Sequence, residues 1–125
     1  MSYDLYVADK AVEEDHLYDE CPLGDFSLGD DSERGRYFNY TYNLSEFFTE
    51  YGVNPIHDLD GLQASECEDR INKALRRISD VDIQSLEEKY NPDNGWGNVD
   101  SAIRWLWCIR DYCRKHPDYL VYERS

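Results

Sequence analysis

Cys67, Ile71, Ala74, Leu75 and Ile78 recur at the spacing of a single helical face. A segment patterned this way is stable only as a helix whose apolar stripe lies on another layer of structure. Ser65, with Glu68 three positions later, reads as a capping box at its start.

The rest of the chain has to supply that other layer. Residues 3–8 put Tyr3, Leu5 and Val7 on one side of a period-two strand. Residues 36–42 are a dense run of aromatic and β-branched side chains, and residues 119–123 form a third β-like run. Three short strands at the start, middle and end predict a small antiparallel sheet with the helices packed on one face, an α+β fold.

Three further helices are expected. Leu44 to Tyr51 is a short one closed by Gly52, and Asn43 is placed to cap it. Asp82 caps another that carries Ile83, Leu86 and Tyr90, and Asn91-Pro92 stops it. The last runs from about Val99 to Lys115, with Ala102, Leu106, Ile109 and Cys113 on one stripe and Trp105 and Trp107 widening that face, before Pro117. At 125 residues without an internal repeat, residues 1–125 read as one domain with one core.

Charge is distributed unevenly. The chain carries 27 acids against 13 bases, a net charge of −14. Residues 11–35 hold nine of those acids and one base, and no hydrophobic period runs through them. They are expected to form a mobile acidic loop. Such a charge repels phosphate backbones and anionic membranes, so direct binding of nucleic acid or membrane is not expected. It favours a basic partner protein instead. Glu13, Glu14, Asp15, Asp30, Asp31 and Glu33 are the expected partner-binding residues. No apolar window approaches membrane-span length and the first residues have no signal pattern, so a cytoplasmic location with reduced thiols is expected.

Groupings that could carry chemistry are sparse. Cys108 and Cys113 lie about 140° apart on a helix, so only Cys113 and His116 share a face, and two ligands do not make a metal site. The stretch His57-Asp58-Leu59-Asp60-Gly61 is explained by turn chemistry. Asn91 to Gly97 does not fit a calcium loop, because Ala102 stands where the closing Glu belongs. No phosphate-cradling loop or nucleophile elbow is present. No catalytic residue, metal or cofactor is expected.

Two polar motifs stand out, Asn39-Tyr40-Thr41-Tyr42-Asn43 and Asn91-Pro92-Asp93-Asn94-Gly95-Trp96-Gly97. Their amides and aromatic faces suit a small polar ligand, and their glycines suit a tight turn. At these residues the chain resembles a group of small uncharacterised proteins common in bacteriophages and in bacteria carrying prophage-like regions. The resemblance covers roughly residues 36–125 and implies a phage accessory protein that inhibits a host defence system. Two mechanisms follow from that implication. In one, the acidic surface docks on a basic host protein, such as a nucleic-acid-binding defence component. In the other, Asn39, Tyr40, Asn43, Asn94 and Trp96 form a pocket for a nucleotide-like signal, with Arg104 compensating its charge.

Overall fold

The computed structural model describes residues 2–9 and 35–124. Three strands, β1 (Ser2–Ala8), β2 (Gly35–Thr41) and β3 (Leu120–Glu123), form an antiparallel sheet in the order β2-β1-β3. A 3-10 turn (Tyr42–Leu44) leads into α1 (Ser45–Glu50), and a π-helical turn (Pro55–Leu59) precedes α2 (Ala64–Ser79). Helices α3 (Ile83–Tyr90) and α4 (Val99–Lys115) follow. The fold is α+β, and no described helix is long and apolar enough to cross a membrane.

Strand alternation sorts the sheet into two faces. Tyr3, Leu5 and Val7 of β1 share a face with Phe38 of β2 and Val121 of β3, and this face joins the helices in a single core. From α2 come Cys67, Ile71, Ala74 and Ile78, and from α4 come Ala102, Leu106, Ile109 and Cys113, all buried. Tyr6, Ala8, Tyr37 and Tyr122 cluster separately on the opposite face, with no helix among them. The described helices therefore pack on one side, as the three β-like runs predict.

Several local expectations are corrected. Helix α2 starts one residue before Ser65: Gln63 is its N-cap, and Glu66 reaches back to the Gln63 N–H at 3.3 Å. Glu68 instead accepts from Arg114 Nε at 2.8 Å, tying α2 to the end of α4. A capping box read from spacing alone was displaced because Gln63 also anchors to the Pro117 carbonyl (3.2 Å) and pairs with Leu120 beside β3. Asn43 does not cap α1, whose N-cap Leu44 makes no side-chain bond; Thr41 caps the preceding 3-10 turn instead. Strand β2 runs one residue earlier at each end than expected, so Gly35 belongs to it rather than to the acidic loop. Gly35 lies at φ 143°, where an added Cβ would meet the Val7 carbonyl oxygen at 2.5 Å. Trp107 does not widen the apolar face of α4: it is 48% exposed, whereas Trp105 is 6% exposed.

Burial raises the pKa of Tyr3, Tyr37 and Tyr51, and for Tyr37 the hydrogen bond that its hydroxyl donates to Asp4 adds to the effect. Their folded pKa values thus lie above the unfolded value of 10.0. The stability tied to these protons is fully present below pH 10 and is lost as pH rises further, because the unfolded chain gives them up first. Urea midpoints should hold at about pH 8–9 and fall above about pH 10, and less steeply in Tyr37→Phe.

Candidate functional site

The two polar motifs meet in space. Asn43 Nδ2 donates to the Trp96 carbonyl at 3.2 Å and to Asn94 Oδ1 at 3.4 Å, and Asn94 Oδ1 also accepts from the Trp96 N–H at 2.9 Å. Asn91 Oδ1 accepts from the Val99 N–H at 2.8 Å and closes the loop onto the start of α4. Gly97 makes this approach possible. It lies at φ 84°, and a Cβ there would sit 2.7 Å from Thr41 Cγ2 and 3.0 Å from Leu44 Cδ2.

Between the motifs lies an open cleft of about 690 Å³, lined by Ser2, Asn39, Thr41, Tyr42, Asn43, Asn94 and Trp96. Asn39 is fixed at its rim, with Nδ2 donating to Ser2 Oγ (3.1 Å), the Tyr3 carbonyl (3.0 Å) and Asp4 Oδ1 (3.2 Å). The Trp96 side chain is 71% exposed, a large apolar surface held at the end of a hydrogen-bonded turn. Asn43 Oδ1 and Asn94 Nδ2 meet no partner among the described residues, so an acceptor and a donor remain for a ligand. None of the described lining residues is of a type that carries charge at neutral pH.

Asn39, Asn43, Asn94 and Trp96 thus come together, while Tyr40 and Arg104 do not join them. Side chains alternate along β2, so Asn39 and Thr41 face the cleft and Tyr40 faces the helices. There the Tyr40 ring packs on Trp105 and Phe48, with centroids 5.4 and 5.8 Å away. Its hydroxyl meets Ser101 Oγ at 2.6 Å, donates to the Asn98 carbonyl at 2.9 Å and accepts from the Asn98 N–H at 3.2 Å. Tyr40 is a brace for the start of α4. Arg104 lies on the exposed side of α4, paired with Asp100 at 2.6 Å, and supplies no charge to the cleft.

Ser2, Thr41 and Tyr42 were not among the expected ligand residues. Thr41 and Tyr42 lie inside the first motif, but Ser2 arrives only through its pairing with Thr41, which no local signal announces. The acidic residues Glu13, Glu14, Asp15, Asp30, Asp31 and Glu33 lie outside the described residues.

The other sequence candidates are accounted for structurally. Asp58 Oδ2 accepts from the Asn54 N–H at 2.9 Å and Asp60 Oδ1 from the Glu123 N–H at 2.9 Å, so the carboxylates of this turn hold the backbone. His116 stacks on Tyr119 at 4.4 Å. A hydrogen bond with the Cys67 thiol, then burial, push the Cys113 thiol well above its ordinary range, which leaves it unreactive. Among the described residues no three His, Cys, Asp or Glu side chains are grouped to hold a metal. Comparison of the chain with protein-family models, curated proteins and solved structures found no match.

Proposed function

We propose that this protein works by binding rather than by catalysis, and that the cleft between the two Asn-rich motifs is a recognition site for an uncharged, planar polar group such as a nucleobase. The observation that carries this reading is the presence of an exposed Trp96 ring, the open Asn43 Oδ1 and the open Asn94 Nδ2 in the lining of one cleft. A ring stacks on the indole, and an adjacent donor and acceptor on its edge match the two amide atoms. The described lining has no cation and the chain carries −14, so a phosphate draws no compensation from these residues. In the counter-defence setting that the resemblance implies, the protein would sequester the base of a nucleotide-like signal while leaving its phosphate in solvent. The same net charge favours a second role, docking on a basic partner protein.

The test is a titration with adenosine, adenosine monophosphate and cyclic adenosine monophosphate, followed by Trp fluorescence and thermal midpoint. A ligand bound only by the folded state raises that midpoint. Adenosine should bind at least as tightly as either phosphate ester, and Trp96→Ala should abolish the response. Phosphate esters that bind while adenosine does not would contradict the reading.

A further inference from the structure

The sheet has one edge that no described residue covers. Along the outer side of β3, the Gly61 N–H donates to the Val121 carbonyl at 2.8 Å and the Val121 N–H to the Leu62 carbonyl at 2.9 Å, so residues 61–64 close that edge. At the opposite edge β2 has β1 as its only described neighbour.

The register fixes which groups point outward. Asp4 turns its backbone to the β3 side, where its N–H meets Glu123 Oε2 at 3.0 Å and its carbonyl accepts from the Arg124 N–H at 3.0 Å. Alternation then turns Tyr3 and Leu5 toward β2, opposite Tyr40 and Phe38. The N–H and C=O of Tyr37 and Asn39 are left on the outer edge. Edge groups without a described partner strand are a template for another strand.

Beside this edge lies a mainly apolar groove of about 300 Å³ between β2 and α4, lined by Phe38, Asn39, Tyr40, Ser101, Arg104, Trp105 and Cys108. Its wall includes the one buried indole donor, Trp105 Nε1, which has no hydrogen-bond partner among the described residues. A strand edge that no described residue pairs, flanked by a helix and an apolar groove, is the arrangement with which proteins capture extended peptides: backbone bonds give affinity, and alternate side chains fill the groove.

We infer that the outer edge of β2, with the groove between β2 and α4, binds an extended segment of a basic partner protein as an added strand, alternate apolar side chains entering the groove. Charge selects the occupant. The chain carries −14, the one cation among the described groove residues, Arg104, is already paired with Asp100, and a second copy of this acidic chain would be repelled. A segment alternating Lys or Arg with Val or Leu places its apolar residues toward α4 and its cations toward solvent. This surface is separate from the Trp96 ring, so the two sites can be tested apart.

The experiment uses the full chain and a fluorescein-labelled peptide, Lys-Val-Lys-Leu-Lys-Val-Lys, followed by fluorescence anisotropy. Two further peptides carry N-methyl groups on one or the other alternate set of amides, leaving charge and side chains unchanged. One alternate set faces β2, so one of these peptides should bind at least about tenfold more weakly than the parent and the other should bind like it. Cys108→Trp, which fills the groove from an exposed position, should weaken the parent about tenfold, and Trp96→Ala should leave its affinity unchanged. No binding of the parent, equal binding of the two methylated peptides, or loss of binding in Trp96→Ala would each overturn the proposal. So would a concentration-dependent dimer that Cys108→Trp abolishes, since a second copy would then be the occupant.

Discussion

Gly97→Ala is expected to cost about 2–5 kcal/mol of folding stability, a large share of what a domain of this size holds. Two effects add. Residue 97 lies at φ 84°, where an L side chain is strained by about 1–2 kcal/mol. The new Cβ would also press into Thr41 Cγ2 at 2.7 Å, Leu44 Cδ2 at 3.0 Å and the Tyr40 hydroxyl at 3.1 Å. Overpacking of that kind costs a further ~1–3 kcal/mol. Gly95 provides the control, because it lies at φ 75° with open space where its Cβ would be. Gly95→Ala should therefore cost only the backbone part, about 1–2 kcal/mol. Urea unfolding of the two variants separates the effects, and equal losses would mean that the motifs are not pressed together at Gly97.

The three tryptophans should respond to alanine substitution in three different ways. Trp105 is buried between Tyr40 and Phe48, with ring centroids at 5.4 and 5.6 Å, so Trp105→Ala should cost about 3–5 kcal/mol. Trp107 and Trp96 project outward, and their loss should change stability by no more than about 0.5 kcal/mol. Only Trp96→Ala should also remove the response to adenosine, since Trp107 does not line the cleft. Thermal midpoints and adenosine titrations of the three variants make the comparison. A Trp96→Ala protein as destabilised as Trp105→Ala would make the second motif a structural element alone.

Elements whose pattern is long or strongly punctuated were legible in the sequence. Helix α4 is framed by Asn98, whose side chain accepts from the Ser101 N–H at 2.8 Å, and by the Lys115–Pro117 stretch, so both its ends carry local signals. Its inner stripe was readable for the same reason. Trp107 was not, because the edge of an apolar stripe is decided by which neighbours are present, and Trp107 stays 48% exposed. The start of α2 was misplaced because Gln63 is held by tertiary partners, Pro117 and Leu120, that lie more than fifty residues away.

The candidate site was legible in half. Composition marked both Asn-rich motifs, and the turn glycines fitted the positive φ angles found at Gly95 and Gly97. Tyr40 belongs to the same motif as Asn39 and Thr41 but not to the cleft, because a strand sends adjacent side chains to opposite faces. Arg104 was sought as a compensating charge, and the nearer carboxylate of Asp100, one helical turn away, holds it instead. The edge position of β2 among the described strands had no signature at all, because an edge is a property of strand order, which only the assembled sheet defines.

The central claim, that the Asn-rich motifs form a recognition site, is most directly tested by following side-chain signals in a proton–nitrogen spectrum while adenosine is added. The account predicts that the amide groups of Asn43 and Asn94 and the indole N–H of Trp96 shift together, with one common binding curve, while the indole N–H of Trp107 stays in place. Shifts confined to residues outside the cleft, or no saturable change at Asn43, Asn94 and Trp96, would contradict it.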